Sequence, residues 1–583
     1  MVAIEPKNVW SKREWAFVTA CLLLMGTVMW RSSLAMSPTY DEPAHIVSGM
    51  AYWQMHDTRL FPEHPPLAKM VAAIPMIMFA PRPDYNDKTF CGRAPCEWIF
   101  PKRYLEHTQD LPRLIMLARI PITMGTLFLG YMVYLVARRL FGHAGAALSL
   151  LTYSLSPFFL GYGSLVITDI MLALFCLWCC RAYADLVEQS SMRGRINLGL
   201  VFAGACLTKF SAGLMLPVFG IAWLWNQRKG RTSQPKRNMI PQLSIAMLTA
   251  AFSILFFYAV FCNHTSTTEL LRERADSFQQ SPHLAEISRQ IASWLERHPT
   301  FATISNPAGL YATGLICFSA WLNLPGYALG SYHAHGVWYY FPTAFLFKTA
   351  PMVLLLLVVF IGVWLHRKFT QKQVAVDEFH APYKNNLLSV IVITLLVFTA
   401  SSMASNINLG IRHFSVPIVL LHVLIGAMVP WITGFAAAKS RVVLRTFWIT
   451  VLVGSTITAM LAFPNYIAYF NFLHGDVPAQ DIVNDSNLDW GQSLPAIEQF
   501  RAEHGISNLY VNSATMTEPN LYIQGAKPWI CGEGIPKEAE WLAVSANYIT
   551  SGPPSCNYLF KWQYSIVGQG TTYIFHIQRI VQP

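Results

Sequence analysis

Long apolar runs alternate with short polar connections over most of the chain, and a helix of about 20 apolar residues crosses roughly 30 Å of hydrocarbon. Runs such as 16–30, 352–365 and 387–400 lie inside stretches of that length. Basic residues gather in the connections, at Arg138 and Arg139, in 228–237 and in 367–372, which is the distribution of cytoplasmic loops. Lys7, Lys12 and Arg13 precede the first run, so the N-terminus is placed inside. Alternating the basic clusters predicts spans near 15–34, 113–136, 144–162, 167–186, 197–209, 211–226, 241–262, 343–365, 386–405, 414–434 and 445–464. That is about eleven crossings, with the C-terminus outside. The stretch 197–226 is short for two full spans and reads as a broken hairpin with Lys209 near its tip. The first span is long for a signal-peptide core, and Ser33, Leu34 and Ala35 make a poor cleavage site, so a retained anchor is expected.

Three segments then fall outside: 35–112, 263–342 and the tail after 465. The apolar stretch 308–330 is assigned to the outer side, because counting it as a span turns Arg367, Lys368 and Lys372 outward. Within the first outer segment, 43–54 and 66–79 read as short, partly amphipathic helices opened by proline and lying along the membrane surface. The tail changes pattern, with one helical stretch near 494–504 and strand-like runs at 508–511, 541–544 and 572–576. The expected fold class is an α-helical polytopic membrane protein of about 11 transmembrane helices, residues 1–465, followed by a small extracytoplasmic α/β domain, residues 466–583.

Composition removes the soluble alternative. The chain has 583 residues, 54% hydrophobic and 13% charged, against about a quarter charged in soluble proteins. Its net charge of +11 is concentrated in the connections, so membrane lipids rather than nucleic acid are the expected partners. Most of the 11 cysteines lie in apolar segments, where cysteine behaves as a small hydrophobe. The other four, Cys91, Cys96, Cys531 and Cys556, all fall outside, which makes Cys91 with Cys96 and Cys531 with Cys556 candidate disulfides of an oxidising compartment.

The first candidate chemistry is Thr39, Tyr40, Asp41, Glu42 and Pro43, two adjacent carboxylates at the outer end of the first span. Carboxylates at a membrane boundary are conspicuous, and one within reach of an acceptor hydroxyl can take its proton. Capping of the helix that begins at Pro43 is the alternative for both. The tail's Asp485, Asn487, Asp489 and Gln492 suit either sugar hydroxyls or ordinary turns. Glu42 and His45 share a helical face, and His64, His333, His335 and His413 fall outside, with no compact ligand spacing beyond the weak pair His333 and His335; the metal is left undecided, a divalent cation being possible but no obligatory cofactor expected.

Asp41 and Glu42, followed by Pro62, Glu63, His64, Pro65, Pro66, Leu67, Ala68 and Lys69, resemble the first outer loop of the lipid-carrier-dependent glycosyltransferases of the C superfamily. That group includes the protein O-mannosyltransferases and the aminoarabinose transferase acting on lipid A. Further matches follow in order: 166–169 ending in Asp169, 207–210 with Lys209, 338–342 with Tyr340, 347–349 with Lys348, and 408–413 with Arg412 and His413. The segment 485–492 looks like one common in a bacterial branch of the family.

The resemblance implies a C-superfamily fold, a polyprenyl- or dolichyl-phosphate-linked sugar as donor, an active site at the outer membrane face and inversion at the anomeric carbon. A protein, an envelope glycan or a lipid would be the acceptor, and the plasma (inner) membrane, with the site on the periplasmic side, would be the location. On this reading Asp41 is the base and Glu42 and Asp169 support it. Arg412, Lys209, Lys69 and Lys348 are candidates for the donor phosphate, a guanidinium gripping it with two parallel bonds; anchoring to headgroups is the alternative for each, and Lys209 in a broken hairpin needs a partner. His64, His413 and Tyr340 are candidates for substrate contact, though the aromatic run 338–341 also suits an interfacial belt. A transporter or flippase of lipid-linked glycans, or a non-catalytic accessory protein, are the competing functional classes.

Overall fold

The computed structural model describes residues 10–228, 239–278, 281–370, 382–434, 441–550 and 555–578. Lys7, residues 229–237 and Lys372, on which part of the sidedness argument rests, lie outside them. The first helix, α1 (Lys12–Leu34), starts where Ser11 and Glu14 bond each other's backbone N–H groups reciprocally. It leads into α2 (Glu42–Met55), α3 (Leu67–Phe79), α4 (Cys96–Glu106) and the long α5 (Leu111–Ser154). Then follow α6 (Pro157–Tyr162), α7 (Asp169–Glu188), α8 (Met192–Cys206), α9 (Met215–Arg228), α10 (Ile240–Phe261) and α11 (Thr267–Ala275).

Among the described residues seven helices are long and apolar enough to cross a membrane: α1, α5, α7, α10, Asn385–Met403, Ile411–Ile432 and Arg441–Ala462. The pair Tyr340–Lys348 and Pro351–Gly362, bent by 115°, makes an eighth if taken as one span. The protein is therefore a multi-pass helical membrane protein. The lower count has local causes. Two of the expected spans, 113–136 and 144–162, meet on α5 at a kink between two helices, where Gly142 leaves the helical region with φ 74° and ψ −176°, a conformation open to glycine. Two more correspond to α8 and α9, of 15 and 14 residues, each about 22 Å long and short of the hydrocarbon thickness.

Helix α2 departs from the surface position expected of it. From Glu42 to Tyr52 every residue is buried, because the helix is enclosed by α3 and α4 rather than laid on a bilayer. Gly49 permits the approach: a Cβ there would stand 2.2 Å from the Lys69 carbonyl oxygen. Helix α3 keeps Ile74, Met78 and Phe79 exposed, as an apolar face toward lipid requires.

Beyond α11, a short hairpin of β1 (Gly326–Ala328) and β2 (Ser331–His333) is tied to the tail by Leu329 and Gly330 N–H groups bonding the Ile482 and Asp481 carbonyls. The tail carries β3 (Leu509–Asn512), β4 (Lys527–Pro528), β5 (Trp541–Ser545), β6 (Gln563–Val567) and β7 (Thr572–His576) in one sheet of order β4-β3-β5-β7-β6. Strand β3 runs parallel to β4 and β5, and β7 antiparallel to β5 and β6. One face packs Val511, Ala543 and Ile574 under the helix Leu494–Glu503; the other packs Leu542, Val544 and Phe575 with Cys531 and Cys556. Strands β4 and β6 went unread: β4 has two residues, and β6 is a short exposed edge. Disulfides join Cys91 to Cys96 and Cys531 to Cys556.

Candidate active site

The connection between α1 and α2 is positioned by the tail. Ser37 N–H bonds the Gln492 carbonyl at 3.1 Å, Ser37 Oγ donates to the Gly491 carbonyl at 2.6 Å, and Tyr40 N–H bonds the Trp490 carbonyl at 2.9 Å. Inside the connection Glu42 is fully occupied. Its carboxylate accepts from Arg119 Nε at 2.9 Å and Nη2 at 2.6 Å, from Thr39 N–H at 2.9 Å and Val166 N–H at 3.0 Å. Burial pushes its pKa up, but the Arg119 charge and these bonds outweigh it and hold the group below its ordinary range. Glu42 is thus a fastening for the loop, with no capacity left to take a proton. Replacing Arg119 by alanine is expected to cost about 3–5 kcal/mol by stranding a buried carboxylate, and removing both partners to cost less than that; detergent-denaturation curves of the single and double variants check it, and equal losses would refute the pairing.

Asp41 occupies the position before α2 yet makes no side-chain capping bond. It turns instead to Arg412, whose Nη1 lies 3.1 Å from its Oδ2. Asp169 opens α7, also without capping through the preceding Thr168, and the same Arg412 Nη1 is 3.7 Å from Asp169 Oδ2. Lys209 Nζ donates to Asp169 Oδ1 at 2.6 Å and to His413 Nδ1 at 3.2 Å. The cause is the hairpin break: α8 ends at Cys206, and Lys209 is extended (φ −156°, ψ 139°) ahead of the short turn Phe210–Leu214. Arg412 is held by stacking over Trp490, 4.1 Å from the ring centroid, and by its Nε bond to Ser486 Oγ at 3.3 Å.

These groups border a cavity of about 930 Å³. Asp41, His64, Lys209, Arg412 and His413 line it, together with Asp485 and Asp489 from the tail. Asp169 does not line it and stands behind Lys209 and Arg412, aligning both. Burial foremost raises the Asp41 pKa, the Arg412 charge opposing and the Asp169 charge adding to it; burial also pushes Asp485 and Asp489 up to about 6.

Lys69, Lys348 and Tyr340 are not in the cavity wall. Lys69 Nζ donates to the Phe61 carbonyl at 2.7 Å, and Lys348 Nζ to the Ile467 and Asn487 carbonyls at 2.5 Å each. The Tyr340 hydroxyl accepts from Asn487 Nδ2 at 2.7 Å. All three brace loops, since a buried ammonium or phenol takes the nearest partner. Of the tail cluster, Asn487 and Gln492 likewise bond within the fold. Among the described residues no group of three or more His, Cys, Asp or Glu side chains is arranged for a metal ion, and His333 Nε2 lies 3.1 Å from the Tyr339 hydroxyl.

Sequence reasoning missed Arg119 and Arg274, and it gave no separate role to Ser486 and Trp490 within the segment 485–492. A lone arginine inside an apolar span is itself a signal, so Arg119 was detectable; Arg274 carries no local mark.

Residues 115–260 match a family described as dolichyl-phosphate-mannose-protein mannosyltransferase. The match takes in Arg119, Asp169 and Lys209. The resemblance to lipid-carrier glycosyltransferases holds over that segment. A search of the curated proteins found no match. Among solved structures, the archaeal oligosaccharyltransferase AglB from Archaeoglobus fulgidus, in complex with an inhibitory peptide and a dolichol-phosphate, is similar with a TM-score of 0.47 at 10% identity, over 98% of this chain and 75% of that one. ArnT from Cupriavidus metallidurans, bound to undecaprenyl phosphate, gives 0.30 at 14% identity, over 98% and 100%. The S. cerevisiae protein O-mannosyltransferase Pmt1-Pmt2 complex, bound to the sugar donor, gives 0.34 at 11% identity, over 44% and 35%. These TM-scores are low, and the likenesses carry no functional argument.

Proposed function

We propose that the protein is an integral-membrane glycosyltransferase that moves a sugar from a polyprenyl-phosphate donor to an acceptor at the outer membrane face, with inversion. The observation that carries this reading is Arg412 shared between Asp41 and Asp169 at the wall of a large cavity, with Lys209 beside it. The acceptor oxygen attacks the anomeric carbon while Asp41 takes its proton. The bond from that carbon to the phosphate oxygen breaks, and its electron pair leaves with the polyprenyl phosphate. Arg412 and Lys209 stand where that negative charge grows. Asp169 positions both cations, and the raised pKa of Asp41 suits a base working nearer neutrality. Acceptors of the expected class are a protein hydroxyl or an envelope glycan or lipid, and the expected setting is the plasma membrane with the cavity on its periplasmic side.

The test places the purified protein in lipid nanodiscs, with no membrane gradient, and offers polyprenyl-phosphate sugars with candidate acceptors and divalent ions. Release of free polyprenyl phosphate by the wild type is expected. No release from any donor would overturn the reading in favour of a transporter or an accessory protein.

A further inference from the structure

Part of the cavity lining differs in chemistry from the group around Arg412. Glu63 and Glu97 both belong to it and are 5% and 1% exposed. Arg274 joins them, its Nη1 2.8 Å from Glu63 Oε1 and 3.5 Å from Glu97 Oε1. It also donates to the Arg59 and Leu60 carbonyls, at 3.2 and 3.0 Å. The second oxygen of each carboxylate, Oε2, has no hydrogen-bond partner among the described residues, and neither has Nδ1 of His45 or of His64. Both histidines line the same cavity, their rings 5.3 Å apart, and His45 is 2% exposed. Four buried polar atoms without partners, all on side chains that line the cavity, is a costly arrangement, since each forfeits its hydration. Carboxylate oxygens only accept hydrogen bonds, and a neutral imidazole has one accepting nitrogen. Burial and the neighbouring Glu63 charge push Glu97 up to about 7, so this pair holds at most one proton between its unpartnered oxygens near neutrality, and the wall suits a ligand that presents hydrogen-bond donors.

Opposite chemistry completes it. Tyr40, Phe61 and Trp98 line the cavity beside these groups, with ring centroids 5.0 Å apart for Tyr40 and Trp98 and 5.5 Å for Phe61 and Trp98. An acceptor-rich wall next to aromatic faces fits a polyhydroxylated ring, whose hydroxyls donate and whose C–H face stacks. It repels a phosphate, which brings only acceptors and negative charge. The position agrees: His45 N–H bonds the Asp41 carbonyl at 3.1 Å, so the subsite begins one helical turn from the proposed base.

We propose that His45, Glu63, His64 and Glu97 form the sugar subsite of the donor, binding the hydroxyl hydrogens of its ring, while the carrier's phosphate lies at Arg412 and Lys209. This rests on the glycosyltransferase reading and adds the orientation of the donor and the residues that discriminate among sugars. Arg274 acts as a positioning residue. The wall is also tied through its connections: Cys96, disulfide-bonded to Cys91, opens α4 just before Glu97 and Trp98, and the intervening Gly92 and Ala94 N–H groups bond Glu273 Oε2 and Ser277 Oγ at 2.7 and 2.8 Å, around the helix that carries Arg274.

The test measures binding in nanodiscs of polyprenyl-phosphate mannose, polyprenyl-phosphate glucose and bare polyprenyl phosphate. Wild type is expected to bind at least one sugar-linked lipid more tightly than the bare one. Glu97→Gln and Glu63→Gln are expected to weaken that sugar-linked lipid by about tenfold, the scale of one hydrogen bond to a charged group, and to leave bare polyprenyl phosphate within about twofold. His64→Gln leaves the ion pairs with Arg274 intact and is expected to show the same selective loss, which keeps the test valid if a glutamate variant unfolds. Equal weakening of both lipids by His64→Gln, or no weakening in any folded variant, overturns the subsite while leaving the transferase reading standing. Failure of wild type to bind any of the three lipids overturns both.

Discussion

Asp41→Asn is expected to abolish sugar transfer while leaving expression, membrane insertion and donor binding intact. Asparagine keeps the shape of the side chain and removes its ability to take a proton, an effect worth about 10²–10⁴ in rate for a general base. Structural damage is small on two grounds: the side chain caps nothing, and Arg412 keeps Asp169 and Ser486 as partners. The pH profile gives a second readout. Burial raises the Asp41 pKa, and a base must be deprotonated to act. Wild-type transfer should therefore fall as pH drops through a value above the ordinary aspartate figure of about 3.9, whereas residual transfer by the variant should lack that limb. Single-turnover assays of transfer across pH check both, and normal rates in Asp41→Asn would falsify the assignment.

Arg412→Ala should depress donor turnover by about 10²–10³-fold, the loss seen when one preorganised donor to a developing anion is removed. Lysine should recover only part of this. Its compact ammonium cannot reach Asp41, Asp169 and a phosphate together, nor stack flat on Trp490 as the guanidinium does. Steady-state kinetics with donor and acceptor varied separately distinguish the roles. A fall in turnover with donor, and little change in acceptor KM, fits contact with the leaving phosphate; an unchanged donor dependence counts against it. Trp490 adds a control, since replacing it by leucine loosens the guanidinium without touching a charge and should give a smaller defect of the same kind.

Much of the membrane architecture was legible because it depends on short-range regularities. Hydropathy over about 20 residues locates α1, α7 and α10, and alternation over a few residues locates β3, β5 and β7. The count of spans is not confirmed: 113–162 reads as two spans, and α5, which runs over most of it, is two helices meeting at a kink at Gly142. Helix α2 was read as a surface element from its proline and mixed composition; its burial depends on α3 and α4 closing over it, and no property of residues 42–55 alone announces that.

The candidate site divides in the same way. Asp41, Asp169, Lys209, Arg412 and His413 were all named from motifs spread between residues 41 and 413, and the fold brings them within hydrogen-bond or ion-pair reach of one another. Sequence by itself determined which side chains carry charge in or beside apolar segments, where an unpaired charge is too costly to be incidental. It did not determine which of them are consumed by the fold. Glu42, Lys69 and Lys348 looked equivalent to Asp41, Lys209 and Arg412, yet the first three are bound by Arg119 or by backbone carbonyls and the others border the cavity. Only the tertiary structure decides that, because a buried polar group takes whichever partner the packing of distant segments puts within about 3 Å, and that distance is written in no local stretch of the chain.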